Sequence, residues 1–405
     1  MGIGIINKNM HKQKVLIVGG GFAGVKTALE LSGDEKYAIT LLSDQTHLRY
    51  YPALYHTATG GSRAEASIPL VDIFEDKNIQ IVKGAAETLD RERQIIKTKS
   101  NERLPYDILI LALGVVTNYF GIKGLREHSF GIKSVEDAEE LKQHLHDQLM
   151  QDGKPDFNYI VVGGGTTGVE LAGAMAFYLK DLIKRHSVPA RKVHIDIVEA
   201  GPRLVPRMPK DISRMIARRL RKLGIKLYLN KSVKGATANE LMVGDKPLRS
   251  HTVVWTAGVT NNSFFTKNNF SLTEHGKVNI NQFLQAEPNI YVLGDNADTP
   301  FSGLAQTALY DGEFVAKHLK TVAEGKSPKT YKPKQPVYVI PVGNNWAAVL
   351  WGKVRFYGFV GWVLRRLADL IGFHDLEPWH EALQQWMTDD DDQESCARCL
   401  AINSK

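Results

Sequence analysis

Two glycine runs carry the first chemical signal in this chain. They are Gly19-Gly20-Gly21-Phe22-Ala23-Gly24 and Gly163-Gly164-Gly165-Thr166-Thr167-Gly168. Each follows an apolar stretch and runs into a helical pattern, and each reads G-x-G-x-x-G, the spacing that grips a pyrophosphate. The first glycine permits a tight turn, the second lets backbone approach the phosphates, and the third lets the helix pack on its strand. The phosphates then rest on N–H groups at the positive end of the helix. Two such runs imply two dinucleotide sites in one polypeptide, one for a resident cofactor and one for an electron donor. That is the layout of a flavoprotein reductase.

The residue ending the second strand of each unit sets which ribose is bound. In the first unit Ser43 holds that position with Asp44 beside it, where a carboxylate is usual. In the second unit the position falls to Glu199. An acidic side chain there binds both ribose hydroxyls of NADH and repels a 2′-phosphate, so Glu199 favours NADH over NADPH as donor, with Arg203 nearby. Other small or acidic strand-end residues are candidates to line the nucleotides: Ala112 and Gly114 after Asp107–Leu111, Ala257 and Gly258 after Thr252–Trp255, and Gly294-Asp295 after Asn289–Leu293.

The elements that must position these residues form two βαβ patterns. The first has a strand at 14–18, a helix at 21–31 and a strand at 37–42. The second has a strand at 159–162, a helix at 166–184 and a strand at 193–198. It continues through a helix at 211–223 and strands at 225–229 and 252–255. Apolar strands alternating with helices predict an α/β fold with two Rossmann-like dinucleotide-binding domains. From Lys332 the character changes. Pro333, Pro336 and Pro341 punctuate a segment expected to form a hairpin, with strands 337–340 and 346–351 around Gly343-Asn344-Asn345. A helix is expected over 355–373. On its wheel Arg355, Gly358, Gly361, Arg365, Arg366 and Asp369 share one arc, and apolar residues fill the rest. That pattern fits a helix lying in a membrane interface, with Trp379 and Trp386 as further anchors. The tail from Asp389 reads as disordered.

Composition narrows the classes. The chain has 405 residues, 43% hydrophobic and 23% charged, with net charge +7. This is an ordinary globular makeup with a mild attraction to anions. No nucleic-acid motif accompanies the charge. No apolar leader precedes the first strand, and no apolar run is long enough to span a bilayer. The two cysteines, Cys396 and Cys399, lie together near the end. The body of the chain therefore offers no redox-active cysteine pair beside a flavin, as disulfide reductases and sulfide:quinone reductases require. It offers no His/Cys metal spacing either.

These elements, in this order, resemble the two-dinucleotide-binding-domain flavoproteins and, within them, type II NADH dehydrogenase, the non-proton-pumping NADH:quinone oxidoreductase. The resemblance covers about residues 14–373. It is carried by Gly19–Gly24, Pro52-Ala53-Leu54-Tyr55 with Ala58-Thr59-Gly60, Gly168-Val169-Glu170-Leu171-Ala172-Gly173, Glu199-Ala200, Trp255-Thr256-Ala257-Gly258, Gly294-Asp295 and Ala305-Gln306-Thr307-Ala308. Thr166 stands where a proline is usual, and Tyr310 where many members carry a second glutamine. The resemblance implies FAD at the first fingerprint and NADH at the second. Ala112, Gly114, Asp295 and Ala305 would then lie along the flavin, Glu170 near the nicotinamide and flavin ring, and Gln306 toward a quinone.

The implied domains are an FAD-binding domain over 1–125 and 275–330, an NADH-binding domain over 126–274, and C-terminal hairpin and amphipathic helices over 331–388. An acidic tail over 389–405 follows. The implied activity is non-electrogenic transfer from NADH through FAD to a quinone of a respiratory chain. The implied partners are quinone, NADH, a lipid surface under the C-terminal helix and a second copy in a homodimer. The implied place is the cytoplasmic face of the cell membrane. Two other classes stay open on sequence: a soluble NAD(P)H flavin reductase serving a protein carrier or oxygen, and a non-catalytic flavin redox sensor.

Overall fold

A computed structural model of the chain describes residues 12–152, 155–188 and 192–388. Cys396, Cys399 and the acidic tail lie outside the described residues. The chain divides into two compact units. The first comprises residues 1–48, 69–115 and 261–334, and the second residues 49–68, 116–260 and 335–405.

The first unit is built on a six-stranded sheet in the order Gln285–Glu287, Ile290–Val292, Ile108–Leu111, Gln13–Val18, Tyr37–Ser43, Ile79–Lys83. All pairings are parallel except that of the first two strands. Val15, Leu16, Ile17 and Val18 are all buried, as a central strand covered on both faces requires. The helix Phe22–Leu31 packs against Ala305–Ala323 so closely that a Cβ at Gly312 would meet the Ala23 carbonyl oxygen at 2.7 Å.

The second unit repeats the theme with a four-stranded parallel sheet, Lys226–Leu229, Ile195–Glu199, Tyr159–Val162 and Thr252–Trp255. Its core joins that sheet to the helices Val135–Asp152 and Thr166–Arg185 and to Ile340, Val342, Ala348 and Leu350 of the C-terminal strands.

The hairpin expected after Pro336 is present, with strands Tyr338–Pro341 and Ala347–Trp351. A third strand, Val354–Gly358, follows where a helix is expected. The helix begins only at Phe359, because Gly358 turns the chain at φ +75°. Over the helix Phe359–His374 the polar arc faces inward. Gly361, Arg366 and Asp369 are buried, while Val360, Val363, Leu367 and Ile371 are exposed. Gly361 lets the helix lie against the Ala347 carbonyl, which a Cβ would meet at 2.2 Å. Trp379 is exposed. Trp386 is turned inward, and its indole N–H donates to the Arg366 carbonyl at 2.7 Å. Among the described residues no helix is long and apolar enough to cross a membrane.

Candidate functional site

In the first unit, Gly19 (φ +119°) begins the turn after Gln13–Val18. A Cβ there would strike the Ala112 carbonyl oxygen at 2.1 Å, and one at Gly24 would strike the Gly19 carbonyl oxygen at 2.0 Å. A Cβ at Gly21 meets nothing within 4 Å. Two glycines thus let backbone segments touch, and the one between them leaves room for phosphate. Gly21 is the N-cap of Phe22–Leu31 and no side chain caps it, so the helix end faces that space with backbone alone. Phe22 and Ala23 are buried at the helix start.

Ser43 is 3% exposed, and its Oγ accepts the Gln45 N–H at 3.2 Å. Gly20 leaves room for that hydroxyl, which a Cβ would meet at 2.5 Å. Asp44, beside it, is exposed. Ala112 is buried, and Gly114 is held by a residue that the sequence reading passed over. The Gly114 N–H donates to Asn296 Oδ1 at 2.9 Å, and Asn296 Nδ2 donates to the Gly114 carbonyl at 2.7 Å and to Asn261 Oδ1 at 2.6 Å. Asn296 is wholly buried and clamps this loop. Its only sequence signal is its place after Gly294-Asp295.

Gly294 (φ +63°) donates its N–H to Asp311 Oδ2 at 3.0 Å, and Asp295 Oδ1 accepts the Gly303 N–H at 2.7 Å. Ala305 and Gln306 open the helix Ala305–Ala323, and Gln306 is exposed. Tyr310, one turn on, donates its hydroxyl to the Lys332 carbonyl at 3.0 Å, and the Lys334 ammonium sits 4.0 Å from its ring centroid. That tyrosine is tied to the irregular segment that follows its own helix.

The second cradle repeats the geometry with a different end. Gly163 has φ +118°, and a Cβ there would meet Thr256 Oγ1 at 2.6 Å and Ala257 Cα at 2.9 Å. A Cβ at Gly168 would strike the Gly163 carbonyl oxygen at 2.0 Å, while Gly165 again faces open space. Thr166 and Thr167 start the helix that Gly165 caps. The carboxylate of Glu199 accepts the Gly164 N–H at 2.6 Å and the Gly201 N–H at 2.6 Å. Arg203 donates to the Met208 carbonyl at 2.6 Å and to the Pro206 carbonyl, so its guanidinium serves its own loop. Ala257 is exposed, and Gly258 is buried against Asn118.

Glu170 is the fifth residue of Thr166–Arg185, just past the first turn. The helix dipole is therefore not the effect that decides its charge. Burial pushes its carboxyl up to about 7, opposed by the positive charge of Arg365. A carboxyl at that value takes and gives protons near neutral pH. Arg365 also bears on Tyr55, whose acidity is suppressed chiefly by burial and partly restored by that positive charge. Sequence reasoning did not connect Tyr55, Arg365 and Glu170, which are far apart in the chain.

The open space at Gly21 and at Gly165 leaves room for the pyrophosphates of two dinucleotides. Among the described residues no group of His, Cys, Asp and Glu is arranged to hold a metal.

The profile of the pyridine nucleotide-disulphide oxidoreductase family matches residues 13–312. The type II NADH:quinone oxidoreductase Ndh of Mycobacterium tuberculosis is 30% identical over 397 residues, covering 90% of this chain and 85% of the relative. The type II NADH:quinone oxidoreductase of Staphylococcus aureus is 28% identical over 359 residues, covering 82% and 88%. Among solved structures, NDH2 from Plasmodium falciparum in complex with NADH superposes with a TM-score of 0.83 at 17% identity, covering 95% of this chain and 99% of the other. The sulfide:quinone oxidoreductase of Aquifex aeolicus superposes at 0.76 with 19% identity, covering 88% and 89%. At these identities the two structures speak for the fold.

Proposed function

This chain belongs to the pyridine nucleotide-disulphide oxidoreductase family and, within it, to the type II NADH:quinone oxidoreductases, and we propose that its residues divide one reaction, NADH + H⁺ + quinone → NAD⁺ + quinol, between two nucleotide cradles. FAD, when bound, supplies the two-electron relay between hydride donor and quinone. The observation that carries the reading is the pair of open cradles at Gly21 and Gly165, one ending in the buried hydroxyl of Ser43 and the other in the carboxylate of Glu199.

In this reading Gly19, Gly21 and Gly24, with Phe22 and Ala23 behind them, hold the FAD pyrophosphate. Ser43 and Asp44 meet its adenosine ribose. Ala112, Gly114, Gly294, Asp295 and Ala305 border the rest of the cofactor. Gly163, Gly165, Thr166, Thr167 and Gly168 hold the NADH pyrophosphate. Glu199 accepts the ribose hydroxyls by releasing its two backbone N–H partners, and Ala257 and Gly258 border the nicotinamide end. Gln306, exposed at its helix start, offers an amide to a quinone carbonyl. Glu170 holds a proton near neutral pH. Anaerobic addition of NADH is expected to bleach the flavin absorbance, and a short-chain quinone to restore it. Bleaching without recovery overturns the quinone assignment.

The reading extends to peripheral attachment at the cytoplasmic face of a membrane, which gives access to a lipid-soluble quinone and places the protein in a respiratory chain. The outward row Val360, Val363, Leu367 and Ile371, with exposed Phe359 and Trp379, supports it. Each such side chain gains about 1.5–3 kcal/mol on burial. Substituting Val363→Glu and Leu367→Glu together should leave the fold intact and abolish sedimentation with liposomes. Undiminished sedimentation would remove this helix as the anchor. Assembly into a homodimer rests on the family resemblance, and light scattering in detergent tests it.

A further inference from the structure

Balance of the reaction leaves one requirement that the nucleotide cradles do not meet. Hydride from NADH brings two electrons and one proton, whereas quinone reduced to quinol takes two of each. One proton per turnover must therefore come from solvent.

A polar cluster in the second unit has the composition for this supply. His56 and Glu65 lie on the turns that follow Pro52. His56 Nδ1 is 2.7 Å from Glu65 Oε2, and Glu65 Oε1 accepts the Ser62 N–H at 2.9 Å. The imidazole side chain is 30% exposed and the carboxyl 4%, so the pair runs from solvent inward. Gly61 makes room for it: a Cβ there would meet His56 Nδ1 at 2.6 Å and Glu65 Oε2 at 3.0 Å.

Beside the pair lies a cavity of about 30 Å³, with Tyr50, Tyr55, His56, Glu65, Arg365 and Asp369 on its wall together with the apolar Pro52, Ala53 and Phe373. That volume suits one or two water molecules. Its polar lining is incompletely satisfied. Arg365 is ion-paired with Asp369 through Nη1 and donates to the Pro52 carbonyl at 3.2 Å through Nη2. Arg365 Nε is nevertheless buried without a hydrogen-bond partner. Such a donor beside a cavity that also carries His56, Glu65 and Asp369 fits a bridging water.

Tyr55 borders this chamber, and its helical turn Leu54–Thr57 packs against Thr166–Arg185, which carries Glu170. Its hydroxyl feels the charges of Arg365, Glu170 and Glu65, in that order of size.

We propose that His56 and Glu65 are the solvent port of a proton path that crosses this cavity past Asp369 and Tyr55 and ends at Glu170. The path rests on the NADH:quinone reading, since it supplies that reaction's one solvent proton. His56 takes the proton from solvent, and Glu65 holds the imidazole and receives the proton from it. The cavity and the Tyr55 hydroxyl carry it onward, and Glu170, with a carboxyl near 7, is the last store. The charged and titratable groups facing the path are Arg365 and Asp369 from Phe359–His374, Tyr50 and Tyr55 from the segment around Pro52, and Lys142, which donates to the Gly61 carbonyl at 3.2 Å. Arg63 points away, held by Glu136 and Glu139.

The test uses the full-length, FAD-loaded protein and its two half-reactions. His56→Ala and Glu65→Gln should each slow reoxidation by a short-chain quinone about tenfold at pH 8 and less at pH 6, with a larger solvent isotope effect. Reduction by NADH should keep its rate. Added imidazole should restore reoxidation in His56→Ala. Gly61→Ala, which drives the pair apart while keeping both side chains, should reproduce the defect. A readout independent of turnover is deuterium exchange at the Glu170 carboxylic acid, followed by the infrared C=O band that Glu170→Gln removes. His56→Ala should slow this exchange about tenfold. Equal slowing of both half-reactions, no imidazole rescue, or unchanged exchange at Glu170 would overturn the port. A wild-type protein that quinone fails to reoxidise would instead overturn the quinone reading itself.

Discussion

The two glycine cradles share a backbone and differ at one side chain. Gly19 and Gly163 have nearly the same φ, +119° and +118°, and a Cβ at Gly24 or at Gly168 would meet the carbonyl oxygen of Gly19 or Gly163 at the same 2.0 Å. At the end of the neighbouring strand, however, the first has a buried neutral hydroxyl, Ser43, and the second a carboxylate that already holds two backbone N–H groups. A carboxylate satisfied by its own loop can exchange those bonds for ribose hydroxyls and take them back on release. A buried serine flanked by Gln45 offers no such exchange. The first arrangement suits a tenant that stays and the second one that leaves.

The largest test of this division is at the close contacts. Gly24→Ala and Gly168→Ala each force a Cβ onto a carbonyl, and overpacking of this kind costs about 1–3 kcal/mol. If the cradles serve different nucleotides, Gly24→Ala yields protein without bound flavin, seen directly in the visible spectrum. Gly168→Ala keeps its flavin but needs roughly ten- to a hundredfold more NADH for half-maximal bleaching. Flavin lost from both variants, or from neither, breaks the comparison.

Next in size is the strand-end residue. Glu199→Ser makes the second cradle resemble the first. Hydrogen bonds to a charged group contribute about 1.5–3 kcal/mol, so preference for NADH over NADPH should fall roughly ten- to a hundredfold. Since Arg203 is committed to the carbonyls of Pro206 and Met208, it should not rescue a 2′-phosphate. Selectivity that survives Glu199→Ser would show that ribose recognition lies elsewhere.

What was legible in the sequence follows from how local each feature is. The glycine turns announce themselves because six consecutive residues carry the whole requirement. The strands flanking them follow from unbroken apolar runs. The strand Val354–Gly358 was not legible, since its residues read continuously into the helical pattern and only the positive φ of Gly358 separates them. The amphipathic character of Phe359–His374 was clear, but not the direction of its faces. Buried Arg366 donates to the Trp386 carbonyl at 2.9 Å, a contact no helical wheel contains. Asn296 bonds Gly114 from 182 residues away. The cavity beside Arg365 gathers residues from three separate stretches of chain. Both are facts of packing, and spacing alone does not encode them.

The smallest effect sharpens the same contrast through two acids. Asp311 in the first unit is wholly buried and accepts from the Tyr331 hydroxyl at 2.6 Å and the Gly294 N–H at 3.0 Å. Its carboxyl is pushed up to about 6, mainly by burial and against the pull of those two bonds. Glu170 in the second unit reaches about 7, with burial opposed only by Arg365. For both, the folded value lies above the ordinary one, so the folded chain keeps its proton longer. Stability is therefore fullest at low pH. It is lost as pH rises from 3.8 to about 6 for Asp311 and from 4.5 to about 7 for Glu170. Glu170→Gln removes its loss, giving up only the attraction to Arg365, and should stabilise the flavin-free chain at pH 8 by about 1–2 kcal/mol, with little gain at pH 4. Asp311→Asn removes a similar penalty but offers one acceptor where two donors converge, leaving one of them facing an amide NH₂. It should destabilise the chain by about 1 kcal/mol or more, even at pH 8. Urea unfolding at the two pH values reads both. Opposite signs would mark Asp311 as a brace for the Gly294 turn and Glu170 as an acid kept under strain for its chemistry. Shifts of the same sign would remove that distinction.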